Sequence, residues 1–319
     1  MGDEPRDAVA LTEVEAEERT RGNSFLRRFA RQPLAVLGCF VLLFMVTIAV
    51  FAPFISRGVT PHTLEGNVIS NPFFLQPNLQ PTFDDFPLRI FGLTTLADFR
   101  QSVLVELVYG ARTTLFIAFG GAAIASAIGI VVGSLSGYYG GVVDAFLMRV
   151  TDVFLSFPFF PLMFAILIAT NSQPTSISFL VVVFGLAAWP QTARLLRAQM
   201  LSLRTQSYVE AAQVAGVSEG RIIFRHLLPN AFAPVVTSIT QNIANILIAE
   251  ATLEYLQLIN LQAHYTYTWG SMIGQGERYL LQNVWGWTFF PGLCIVLTVL
   301  AVSYIGEGLR DAVDVRGQS

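Results

Sequence analysis

The chain has 319 residues, of which 53% are hydrophobic and 13% charged, with a formal net charge of −3. Several apolar stretches match a bilayer core of ~30 Å, which takes about 20 residues of helix; this excludes an ordinary soluble domain and indicates a polytopic all-α membrane protein. All 19 basic residues are arginine, so the chain can carry neither a Walker A lysine nor a Schiff-base lysine, and any nucleotide hydrolysis must come from another chain.

Residues 1–32 read as a cytoplasmic tail, partly disordered, with acidic residues at Asp3, Glu4, Asp7, Glu13, Glu15, Glu17 and Glu18 and few apolar ones to bury. The apolar run 33–54 follows Arg27, Arg28 and Arg31. It is too long for a signal-peptide core and has no small-residue cleavage site, so 33–56 is expected to be a retained first transmembrane helix. Residues 57–110 form a loop with prolines at 61, 72, 77, 81 and 87. Five further apolar segments, 111–135, 146–169, 177–196, 232–253 and 287–304, make a five-helix unit within 111–309, and 310–319 form a second tail.

With a cytoplasmic N-terminus, 14 arginines fall on inside segments and 5 on outside ones, as the positive-inside rule requires. Both termini and the loop 197–231 are then cytoplasmic, while 57–110 and 255–286 face outward. Cys39 and Cys294 lie in apolar segments as small core residues, and His62, His226 and His264 are too dispersed in sequence to suggest a metal site. In the second span Gly121, Ala125, Gly129, Gly133 and Gly137 recur every fourth position, on one face where another backbone can approach closely. This is either plain tight packing or a moving interface beside a translocation path.

The most informative segment, 208–230, reads Tyr-Val-Glu-Ala-Ala-Gln-Val-Ala-Gly-Val-Ser-Glu-Gly-Arg-Ile-Ile-Phe-Arg-His-Leu-Leu-Pro-Asn. Helix formers Glu210-Ala211-Ala212 are followed by a break at Gly216. Ser218 can cap a second short helix through Arg225, Glu219 suits its first turn, and Pro229 suits the start of the next span. The expectation is two short helices at an angle across the cytoplasmic face.

The spacing of Glu210-Ala211-Ala212, Gly216, His226 and Leu228-Pro229 resembles the EAA loop of ABC-importer permeases. The ending His-Leu-Leu-Pro-Asn is similar to that of the dipeptide/oligopeptide/nickel branch. Further likeness lies in Tyr109-Gly110-Ala111-Arg112, in Gly137-Tyr138-Tyr139-Gly140-Gly141 with Asp144, Arg149 and Asp152, and in Trp189, Arg194 and Arg197. It continues in Trp269-Gly270, Phe290-Pro291-Gly292 and Gly308-Leu309-Arg310-Asp311, so it spans about 90–316.

The resemblance implies a type I ABC-importer permease fold with about six transmembrane helices, as the second, six-span permease of a pair in a bacterial plasma (inner) membrane. It implies partners: a homologous second permease forming the other half of the translocation path, two ATPase subunits binding ATP and Mg, and an extracytoplasmic substrate-binding protein. No cofactor, catalytic residue or nucleic-acid partner is expected in this chain. Glu210, Ala211, Ala212, Gly216, Arg221, His226, Leu228 and Pro229 would dock the ATPase and transmit its motion. Di- or oligopeptides are the implied cargo, with nickel complexes, glutathione or another small solute as rivals. An ion-gradient-driven transporter would show internal repeats, and none is evident.

Two stretches depart from the branch. Residues 91–100 replace its usual Gly-Thr-Asp and Gly-Arg-Asp motifs, and Leu253-Glu254-Tyr255-Leu256-Gln257 stands where Leu-Ser-Phe-Leu-Gly is usual. Near the outer end of the fifth span, Glu250 and Glu254 share a helix face, and a carboxylate in hydrocarbon normally faces a bundle interior or a water cavity. They either line an outer gate for a cationic group or pair locally. Asn242 and Asn245 either line the path or hydrogen-bond between helices.

Overall fold

The computed structural model of the protein describes residues 27–55, 103–169, 176–259, 267–280 and 286–313. Among them every regular element is helical: α1 (Pro33–Val50), α2 (Ala52–Ile55), α3 (Val103–Tyr139), α4 (Gly141–Ser156), α5 (Phe159–Ala169) and α6 (Ile177–Leu203). The chain continues through α7 (Ser207–Val214), α8 (Glu219–Arg221), a π-helical turn (Ile222–Leu227), α9 (Leu228–Asn230), α10 (Phe232–Tyr255), α11 (Trp269–Leu280) and α12 (Gly286–Val313). The divergent stretch 91–100 and both chain ends lie outside the described residues.

Five helices, α1, α3, α6, α10 and α12, are long and apolar enough to cross a membrane, and α4 with α5 can make a sixth crossing. The packing of α3 on α6 shows that it must. Gly121 faces Phe184, Gly129 faces Thr192, Gly133 faces Leu196 and Gly137 faces Met200, each partner 63 positions later. A constant offset means that α3 and α6 run parallel, so the chain has to recross the layer between them.

The bent pair α4–α5 makes that return along α6. Asp144 meets Arg197, Asp152 meets Arg194, Phe154 lies 5.4 Å from Trp189 between ring centroids, and Phe159 lies 6.4 Å from Phe184. Residue numbers rise on one side as they fall on the other. The straight third span expected at 146–169 is therefore a broken one, bent by 89°. Phe157 sits at the break with extended φ −93° and ψ 132°, because the ring of Pro158 disfavours α-helical backbone at the residue before it.

Helix α3 begins at Val103, eight residues before the span expected at 111. α1 and α12 pack antiparallel: a Cβ on Gly38 would lie 2.7 Å from the Ala301 carbonyl oxygen, and Gln32 Nε2 donates to Asp311 Oδ2 at 3.2 Å. The start of α1 thus lies beside the end of α12, on one side of the bundle. The central core is Ile117, Met163, Leu180, Phe184, Ile246 and Leu253, from α3, α5, α6 and α10. Lipid tails are as apolar as these side chains, so close packing rather than transfer from water holds the bundle together.

Candidate functional site

The segment 208–230, expected as two short helices, has that form, with a sharper break than its sequence announces. Helix α7 ends in a Schellman motif: Val217 N–H donates to Ala212 O (3.1 Å) and Gly216 N–H to Gln213 O (3.0 Å). Gly216 takes φ +76°, where a Cβ is strained even though none would touch a neighbour. Ser218 occupies the next N-cap position, but its side chain makes no cap bond.

The second helix does not stay α-helical through Arg225. It widens into the π turn Ile222–Leu227, where Leu228 N–H donates to Ile223 O. Pro229 has no N–H and its ring crowds the carbonyl four residues back, which the wider turn relieves. Asn230 Nδ2 donates to the His226 carbonyl at 2.6 Å.

Val209, Ile222 and Leu227 are buried against Leu196 and Met200 near the end of α6, with Ile130 and Tyr138 of α3 alongside. The opposite face is open. Glu210, Ala211, Gly216, Arg221 and Pro229 are exposed, and His226, Ala212 and Leu228 are half-buried. Val214 is 90% exposed and Phe224 53%, so the loop presents an apolar patch away from its own bundle.

The ends of α3, α4 and α6 converge beneath this loop. Arg197 Nε and Nη2 donate to the two Asp144 oxygens at 2.5 and 2.6 Å, and the Ser136 hydroxyl donates to Asp144 as well. Arg204 Nη1 donates to the Gly137 and Tyr138 carbonyls (3.3 and 3.2 Å), satisfying carbonyls the helix end leaves open. The Tyr139 hydroxyl at the end of α3 approaches the Glu219 carboxylate of the loop. Arg194 pairs with Asp152 at 2.6 Å. The ion pairs thus run between α4 and α6, not within α4 as the spacing of Asp144, Arg149 and Asp152 suggests, and Arg149 joins neither.

Toward the other end, Asn242 Nδ2 donates to Ser126 Oγ (3.2 Å) and Thr192 Oγ1 (2.9 Å), and Thr192 bonds Ser238 at 2.6 Å. Asn242 therefore cross-links α3, α6 and α10. Asn245, one turn on, is exposed.

Glu250 and Glu254 are buried inside the chain. The Glu250 carboxylate approaches Thr268 without a well-formed hydrogen bond. Thr268 and Ser271 form a reciprocal cap on α11: Ser271 N–H donates to Thr268 Oγ1 (3.1 Å) and Thr268 N–H to Ser271 Oγ (3.0 Å). Trp269 fixes that helix to α3, its Nε1 donating to Leu107 O and its N–H to Thr114 Oγ1.

Sequence reasoning passed over Glu106. It is fully buried, with neither oxygen hydrogen-bonded to another described residue, and the signal was one acid within the apolar run Val-Leu-Val-Glu-Leu-Val.

Helix α10 ends in a second Schellman motif: Leu258 N–H donates to Leu253 O and Gln257 N–H to Glu254 O, both at 2.9 Å. Gln257 takes φ +57°, and it stands where the resembling branch has glycine. Left-handed backbone costs a residue with a Cβ about 1 kcal/mol. Gln257→Gly is expected to stabilise the protein by about 0.5–1 kcal/mol, read as a higher Tm of the detergent-solubilised chain; a lower Tm would mean the Gln257 side chain contributes more than its backbone costs.

A cavity of about 520 Å³ opens where α4 breaks into α5. It is lined by Phe154, Phe157, Phe159 and Phe160 on one side and by Ala187, Gln191, Asn242, Asn245 and Ile248 on the other. Gln191 was not singled out in the sequence, where a glutamine after Trp-Pro carries no pattern.

Residues 129–318 match the family of binding-protein-dependent transport system inner membrane components, and residues 20–81 match the N-terminal TM domain of oligopeptide transport permease C. The chain is 32% identical over 288 residues to the dipeptide transport system permease protein DppC of Bacillus subtilis, covering 90% of this chain and 83% of that one. It is 30% identical over 307 residues to the oligopeptide transport system permease protein OppC of Haemophilus influenzae, covering 96% and 92%. Among solved structures, a chain of the MetNI methionine ABC transporter in inward-facing conformations aligns with a TM-score of 0.52 at 20% identity, over 65% of this chain and 96% of that one.

Proposed function

Because the chain belongs to the family of binding-protein-dependent transport system inner membrane components, we propose that it forms half of the path by which an ATP-driven importer moves di- or oligopeptides across a bacterial inner membrane. The chain is an integral-membrane ABC-importer permease, a member of a transport family rather than of an enzyme family. The observation that carries the mechanistic reading is the bent helix pair around Gly216, whose inner face is rooted on α3 and α6 while its outer face is open and carries the exposed apolar side chains of Val214 and Phe224 among polar ones. A surface of that kind fits a groove on a partner and moves the helices it is rooted on.

In this reading Glu210, Ala211, Ala212, Gly216, Arg221, His226, Leu228 and Pro229 form the docking element for one of two ATPase subunits, which bind ATP and Mg. A homologous permease forms the other half of the path, and an extracytoplasmic binding protein delivers cargo. The match of residues 20–81 favours the role of second permease in the pair, and the names of the relatives favour peptides. Glu250 then serves the outer end beside Thr268 at the capped start of α11, and Glu254 lies one turn further along the same face of α10.

The test is uptake of a labelled dipeptide into proteoliposomes holding this chain with its partner permease, ATPases and binding protein. Uptake is expected to require ATP and to ignore an imposed ion gradient. Gradient-driven uptake without ATP, or ATP-driven uptake of nickel or glutathione but of no peptide, would overturn the corresponding half of the reading.

A further inference from the structure

The cavity at the α4–α5 break has a chemistry of its own. Its volume of about 520 Å³ falls within the ~300–1,000 Å³ usual for small-molecule sites, and none of its lining residues carries a charge. Four phenylalanines form one wall. The facing wall, from α6 and α10, carries three amide side chains, Gln191, Asn242 and Asn245. Asn242 uses its amide donor on Ser126 and Thr192. Gln191 and Asn245 are exposed and make no hydrogen bond to another described residue.

Both amides stand near the middle of their spans, Ile177–Leu203 and Phe232–Tyr255, and so near the middle of the bilayer. An amide facing lipid there has nothing to bond and is costly, so a surface that carries two of them faces a polar path instead.

Resting on the peptide-permease reading above, we propose that Gln191 and Asn245 line a mid-membrane contact site that recognises the main chain of a peptide in transit. A side-chain amide both donates and accepts, as a peptide group does, so each can pair with a backbone N–H or C=O whatever the neighbouring side chain. A wall without charge adds no preference for charged cargo side chains, and the phenylalanines supply an apolar surface for varied ones. The site is suited to reading what all peptides share.

The experiment compares ATP-driven uptake of a neutral dipeptide with that of its analogue methylated on the peptide nitrogen, using the assembled importer in proteoliposomes. Wild type and the double variant Gln191→Leu/Asn245→Leu are run with the same binding protein, whose own discrimination cancels in the ratio. The wild-type importer is expected to move the methylated peptide about tenfold more slowly than the variant's ratio predicts. In the double variant, uptake of the unmodified peptide falls about tenfold while the preference shrinks toward that of the binding protein alone. Gln191→Met, close in shape, gives an intermediate preference.

An unchanged preference in Gln191→Met and the double variant would overturn the proposal while leaving the peptide-permease reading intact. Loss of the second permease on co-purification would also overturn it, by assigning these amides to the subunit interface. If the wild-type importer moves another solute but no peptide, the functional reading fails and this proposal fails with it.

Discussion

Gly133→Leu is expected to leave no folded protein in the membrane. A Cβ at this position would lie 2.5 Å from the Ala193 carbonyl oxygen and 3.0 Å from the Leu196 Cβ, so the obstacle is backbone of the parallel helix and not the yielding tip of a side chain. Even Gly133→Ala forces α3 and α6 apart and is expected to cost about 1–3 kcal/mol, the usual range for overpacking. A leucine adds three more carbons, and no rotamer avoids α6. The yield of monodisperse protein after detergent extraction, with its thermal unfolding, measures both. A leucine variant that melts as wild type would mean that α3 and α6 are not packed this closely.

The same seam supports the Asn242–Thr192–Ser126 cross-link and the Asp144–Arg197–Ser136 cluster, so separating the helices breaks hydrogen bonds as well as contacts. Between the two readings of the glycine stripe, this geometry favours tight packing. Gly129 and Gly137 would each place a Cβ against α6 with as little room.

Val214→Asp is expected to abolish transport while leaving the chain folded. Val214 is 90% exposed at the end of α7, so the substitution removes almost nothing from its own bundle. In the proposed docking groove it places a carboxylate where an apolar contact is buried, and truncating or charging the centre of an interface typically costs 2 kcal/mol or more. Uptake should fall by about 100-fold and the ATPase should be lost on co-purification, with the melting curve unchanged. Val209→Asp is the informative contrast. Val209 is fully buried against Leu196 and Met200, so its charge should destabilise the chain itself. Full uptake by Val214→Asp would show that this patch is not the docking surface.

The bent helix pair around Gly216 was legible in the sequence because its determinants are local. A run of helix formers, a glycine at the C′ position and a proline before the next span act within a few residues of one another, and Gly216 indeed takes the left-handed backbone. The break in the third span was also written locally, in Phe157-Pro158, but a hydropathy window averages over it and reports one long apolar segment. The π turn at Ile222–Leu227 and the left-handed Gln257 were less visible. A proline is compatible with several adjustments of the preceding turn, and glutamine is a residue for which a positive φ is not expected.

By itself the sequence determined the class of protein and the approximate spans, and arginine placement set the expected orientation with the 197–231 loop on the cytoplasmic side. Hydrophobic length, arginine placement and turn chemistry are properties of short stretches that a bilayer and a helix read directly. Only the tertiary structure decided which side chains meet: Asp144 with Arg197, 53 positions apart, Asn242 with Ser126, 116 apart, and Trp269 with Leu107, 162 apart. It also decided that Glu250 and Glu254 lie inside the chain while Gln191 and Asn245 open onto a cavity. Those outcomes depend on how helices rotate and register against one another. That register is set by close packing of small residues across the bundle, a relation between distant segments that no single stretch of sequence contains.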